Sequence, residues 1–151
     1  MSCSTRNYKN CHFKSCEQYY NTNPQALAAG ATIPLNILGN RVVDTGVSIE
    51  AEPNGFQTLK TGLYAISADI VINTTTAGDV ILQIKRDGVV LPCSVRRFTA
   101  GTGYREVHTE TKQLIEGCCA DVSHTFTFEL VSVDTAVSSV TSVCAGMTKL
   151  A

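Results

Sequence analysis

The chain has no tryptophan, only four prolines and two methionines in 151 residues, and charged residues make up just 17% of it. Twelve Lys and Arg against thirteen Asp and Glu leave a net charge of −1. With no basic run and no Arg-rich face, there is no electrostatic footprint for a phosphate backbone, so nucleic-acid binding is excluded as the expected function. Acidic tails and polybasic membrane anchors are missing too. No stretch approaches the eighteen apolar residues of a membrane span, and the first sixteen, MSCSTRNYKNCHFKSC, contain no apolar h-region of a secretory leader. Membrane insertion is not expected.

What the chain does have in quantity is cysteine, seven in all, with eleven glycines. A chain of this length removes roughly 70% of its unfolded surface from water, enough for one domain to fold without disulfides or metal. The cysteines are therefore surplus to folding. Their odd number leaves at least one thiol unpaired within a single chain.

Charge divides the chain. Arg6, Lys9 and Lys14 stand against Glu17 in residues 1–20, residues 21–40 carry no charge, and the remainder is net acidic. Residues 1–32 show no apolar period of 2 or 3.6, which predicts a Cys- and Asn-rich anchoring arm followed by a linker. Pro24 to Ala29, closed by Gly30, has the ends of a short helix but is too brief to be stable alone.

From Ile33 to Ala151 the pattern is all-β. Tyr64, Ile66, Ala68, Ile70 and Ile72 alternate with Leu63, Ala65, Ser67, Asp69 and Val71, a core strand. Val80, Leu82 and Ile84 repeat the pattern, and Asp87-Gly88 predicts a type I′ hairpin turn with Val89 to Leu91 pairing back. Further runs at Ser94–Phe98, Tyr104–Ile115, Val122–Val131 and Val140–Leu150 are separated by turn residues, and Pro53-Asn54-Gly55 reads as another turn. Short strands at this spacing point to a sandwich or jelly roll.

No constellation points to catalysis. Cys3, Cys11, His12 and Cys16 could ligate zinc, but their spacing departs from paired Cys knuckles. Disulfides, thiol pairing between chains and packing against a partner remain open for them, and no metal or other cofactor is assigned. Vicinal Cys118-Cys119 in a turn are each expected to pack or reach a different neighbour. Cys93 and Cys144 read as small buried hydrophobes. Glu106, His108, Glu110 and Lys112 form a solvated charged stripe, although its first three members could hold a cation. His124 shares a strand face with Val122, Phe126 and Phe128, with no nucleophile beside it, and is expected in the core or an interface. Gly101-Thr102-Gly103 has no following helix to cradle a phosphate.

The stretch Phe56-Gln57-Thr58-Leu59-Lys60-Thr61-Gly62-Leu63-Tyr64-Ala65-Ile66 resembles the signature strand of the TNF and complement globular-head superfamily. Val80 to Gly88 is similar to that family's next hairpin, and Ser142 to Met147 to its closing strand, so the likeness spans about residues 33–151. It is closer still to small virion proteins of clostridial prophages and to C-terminal domains of exosporium collagen-like glycoproteins. These share a Cys- and Asn-rich start, a Cys-Cys turn and an end like Thr148-Lys149-Leu150-Ala151; the collagen stalk is absent.

The resemblance implies a ten-stranded jelly roll assembled as a homotrimer, one sheet of each subunit packed around the threefold axis. It implies a bacteriophage virion structural protein with no enzymatic activity: a head fibre, capsid decoration or tail-associated protein located in the virion. The expected partners are the major capsid protein or another virion subunit and a host surface glycan or protein. The expected docking residues are Tyr8, Cys11, Phe13, Cys16, Tyr19 and Tyr20; Tyr64, His124, Phe126 and Phe128 are expected in the core or the trimer interface. A spore-surface or cell-surface adhesin of the same fold is the alternative, with a small hydrolase behind it.

Overall fold

A computed structural model describes residues 15–117, 122–134 and 137–151. It contains thirteen strands among the described residues: β1 (Cys16–Asn21), β2 (Gln25–Leu27), β3 (Thr32–Pro34), β4 (Asn40–Thr45), β5 (Ile49–Glu52), β6 (Gly55–Thr58), β7 (Gly62–Thr74), β8 (Gly78–Arg86), β9 (Val89–Val90), β10 (Arg96–Ala100), β11 (Gly103–Ile115), β12 (Thr125–Ser132) and β13 (Val137–Lys149). They form two antiparallel sheets. The first runs β11-β7-β13-β1-β4 with β2 on β13, and the second runs β10-β8-β12-β6-β5 with β3 on β12 and β9 on β8. This is the expected all-β jelly-roll sandwich, with more strands than ten because β2, β3 and β9 are additions of two or three residues.

The core forms where period-2 apolar faces meet. Tyr64, Ile66, Ala68, Ile70 and Ile72 of β7 are fully buried and face Val80, Leu82 and Ile84 of β8 and Phe126, Phe128 and Leu130 of β12. Each fully buried large side chain contributes roughly 1.5–3 kcal/mol. Phe56 packs edge-on against Phe128, ring centroids 6.1 Å apart, and Tyr19 tilts against Phe56 at 6.4 Å. The β8–β9 turn carries positive φ at Asp87 (50°) and Gly88 (83°), as a type I′ turn demands.

One boundary is corrected. Residues 16–27 are no linker: β1 lies inside the first sheet, paired with β13 on one side and β4 on the other, and β2 adds to β13. No helical turn forms at Gln25–Leu27. The segment escapes periodicity because its inward residues are Glu17, Tyr19 and Asn21, two of them polar. Residues 1–14 lie outside the described residues, as do Cys118 and Cys119.

Ser15 and Ala151 share one end of the sandwich. The Lys149 amide donates to the Ser15 carbonyl, and the Leu63 amide to that of Ala151.

Candidate functional site

The strand registers place a second set of side chains on the outward face of the first sheet. Cys16 lies opposite Thr148, Thr148 opposite Ala65, and Ala65 opposite Lys112. The next outward row is Gln18, Gly146, Ser67 and Glu110; the one after is Tyr20, Cys144, Asp69 and His108. Small residues at the middle of each row leave a hollow of about 560 Å³, floored by Ala65, Ser67 and Gly146 and walled by Gln18, Lys112 and Glu110. Tyr20, Tyr104 and Leu114, at 39%, 75% and 55% exposure, project around this face. A sheet face with small residues at its centre and exposed aromatics and aliphatics at its margin has the form of a contact surface.

Polar order on the face is local. The Gln18 amide donates to Cys144 Sγ at 3.1 Å, and Cys16 Sγ lies 3.3 Å from Thr148 Oγ1. His108 Nδ1 is 2.7 Å from Asp69 Oδ1, with Glu110 Oε2 3.4 Å from its Nε2. The row order matters chemically. Asp69 stands between Cys144 and His108, so thiol and imidazole are two strand spacings, about 10 Å, apart. A nucleophile and its base need hydrogen-bond reach, which this row does not provide. The Glu106–Lys112 stripe is exposed along its outward positions, as the sequence indicated.

The residues singled out from the sequence fall into four places. Tyr8, Cys11 and Phe13 lie outside the described residues. Cys16 and Tyr20 point outward from β1, whereas Tyr19 points inward, partly buried, and packs against the core on Phe56. Tyr64, Phe126 and Phe128 have no exposed surface and belong to the core; none can reach a partner chain. His124 sits just before β12, a quarter exposed or less, with Nδ1 2.6 Å from Asp87 Oδ2 at the hairpin turn. The apolar surface expected of the Val122, His124, Phe126 and Phe128 face is thus spent on the opposite sheet, and the free face is the one over Ser67 and Gly146.

Cys93 also corrects an expectation. It is exposed, in the middle of the short 3-10 turn Pro92–Ser94, while Cys144 is half-buried and Cys16 likewise; all three are free thiols at the rim of the hollow. Ala65, Ser67 and Gly146 carry no reactive group that would mark a site in the sequence. The one signal of Ala65 and Ser67 is that they occupy the alternate face of β7, opposite its apolar face, while Gly146 lies on β13.

Charge–charge contacts lie mainly elsewhere. Asp79 is held below its ordinary pKa by the Thr99 hydroxyl and by Arg97, whose Nη2 is 2.7 Å away. Burial of Asp87 opposes ionisation, yet the bonds from His124 and the Thr125 amide outweigh it and lower its pKa. On the outward face of the second sheet, Glu129 accepts from Lys85 at 2.8 Å and from the Gln83 amide at 2.6 Å.

No protein-family model matches the chain, and no curated protein matches it in sequence. Solved structures do. PRD1 vertex protein P5 superposes with a TM-score of 0.64 at 20% identity, over 92% of this chain and 99% of that one. Murine APRIL at pH 5.0 gives 0.63 at 14% identity, over 91% and 99%, and at pH 8.0 gives 0.62 at 15%, over 90% and 98%. The fold is therefore a TNF-like jelly roll.

Proposed function

We propose that this chain is a non-enzymatic structural protein of a bacteriophage virion: a trimeric jelly roll serving as a head fibre, capsid decoration or tail-associated protein. The observation that carries the reading is the end-to-end likeness to PRD1 vertex protein P5, since a vertex is a feature of a closed shell. The outward face of the first sheet supports the trimer. Its hollow, its rim of Tyr20, Tyr104 and Leu114, and its mixture of Asp69 and Glu110 with Lys112 suit contact with other copies of the same chain.

Residues 1–14 are the docking segment in this reading, with Tyr8, Cys11 and Phe13 as anchors on the major capsid protein or another virion subunit. Ser15 and Ala151 share one end of the sandwich, so docking there leaves the other end free to project. Three copies on one mount raise the effective concentration of each weak contact, so modest individual affinities give a lasting hold.

The test is a chain lacking residues 1–14, a cut that spares β1. The reading expects it to fold and oligomerise as the full chain does while its incorporation into particles falls at least tenfold. Undiminished incorporation would remove the docking role, and a chain found on spores or cell envelopes but never in particles would favour the adhesin.

A further inference from the structure

Among the described residues, Glu17 is the only charged-type side chain buried in the sandwich, at 5% exposure. On β1 it stands directly opposite Asp44 of β4, and opposite Met147 of β13. Among the described residues its Oε2 has no hydrogen-bond partner. Asp44 is paired with Arg41, Nη1 to Oδ2 2.9 Å. Two ionised carboxylates directly across a strand pair repel, and a buried one lacks water to compensate. The arrangement is favourable with a proton between them, the Glu17 carboxylic acid donating to the Asp44 carboxylate.

Among the described residues, β4, the strand this proton joins, is the edge of its sheet and pairs only with β1. Five of its six residues are exposed, so little apolar burial secures it beyond the ladder itself. The other titratable groups around Glu17 do not replace the proton. Tyr19 is on the same strand, Glu50 and Glu52 of the neighbouring β5 have the same sign, Lys149 of β13 lies beside Gly62, and Arg41 is engaged by Asp44.

We propose that β4 is latched to β1 by a proton shared between Glu17 and Asp44, and that loss of this proton lets the edge strand open. Burial above all, then the bond to Asp44 and the charge of Asp44, push the Glu17 pKa up to about 8, with Arg41 opposing. In the open state the carboxyl is in water and has its ordinary value near 4.5. Between these values the closed edge holds a proton that the open edge lacks, so rising pH favours opening. The opening constant rises about tenfold per pH unit across that window and levels off on either side. An open edge bares the β1 backbone, whose free N–H and C=O groups can accept a strand from another chain.

Hydrogen exchange of the Arg41 to Asp44 amides in the full-length chain, corrected for the intrinsic pH dependence of exchange, tests this between pH 5 and 9. Protection should fall roughly four-hundredfold from pH 5 to 8. The β8 amides should show no such trend. Glu17→Gln should flatten the profile and Asp44→Asn should move its upper limit to lower pH. A carbon-detected titration of the Glu17 carboxyl in the native protein, which needs no variant, should have its midpoint near 8. A pH-independent β4, the same slope in E17Q, or a carboxyl midpoint near 4.5 would each overturn the latch.

Discussion

His124 and Asp87 clamp the β8–β9 hairpin to the start of β12. Imidazole Nδ1 and carboxylate Oδ2 are 2.6 Å apart, the other carboxylate oxygen accepts the Thr125 amide at 2.9 Å, and the Asp87 amide donates to the Thr125 carbonyl. One residue thus supplies the left-handed turn conformation and the tether.

Asp87→Asn keeps the turn preference and removes the charge. Because the Asp87 side chain is half exposed, the expected loss is modest, about 0.5–1 kcal/mol at pH 7 by urea unfolding. The Asp87 pKa is lowered in the folded state, so its contribution is present above the ordinary value of 3.8 and is lost as pH falls through the folded value. The difference between wild type and D87N should therefore close below pH 3.8. A gap that widens in acid would contradict the tether.

Tyr64 combines a fully buried ring with a hydroxyl that donates to the Lys60 carbonyl at 2.6 Å. Tyr64→Phe should cost about 1 kcal/mol, the usual value of one such bond. Tyr64→Ala should cost about 3–5 kcal/mol through the cavity it leaves. Equal losses in the two variants would mean that the ring contributes nothing.

Gly55 begins β6 where it passes the Phe126 carbonyl, and a Cβ there would sit 1.7 Å from that oxygen. Gly55→Ala should destabilise the fold by at least about 3 kcal/mol, since only backbone movement relieves the overlap. Gly101→Ala, with open space around the position, should stay within about 0.5 kcal/mol of wild type. Thermal unfolding of the pair gives the contrast.

Thiol labelling reports on the outward face. Cys16 and Cys144 are half-buried in the single chain, so an interface over the hollow should slow their alkylation at least tenfold relative to a variant that cannot assemble, such as Ser67→Arg. Equal rates in both would place the contact elsewhere.

The sequence was informative where the sheet face and the chemistry agreed. The β7 alternation, the Asp87-Gly88 turn and the β11 stripe lie where periodicity put them, because one face of each strand meets the core and the other meets water or a partner. Periodicity failed at β1, whose inward positions hold Glu17 and Asn21, and at β4, an exposed edge with no buried face to generate an alternation. The hollow stayed hidden for a related reason. It is made by Ala65 and Ser67 of β7 aligning with Gly146 of β13, and cross-strand register is invisible in one dimension.

Light scattering of the full-length protein at micromolar concentration is the most direct measure of the trimeric virion-protein account. The account predicts a particle of three times 16.2 kDa, reduced to a folded single chain of 16.2 kDa by Ser67→Arg. A wild-type mass of one chain would contradict it, and so would a three-chain mass that S67R leaves unchanged.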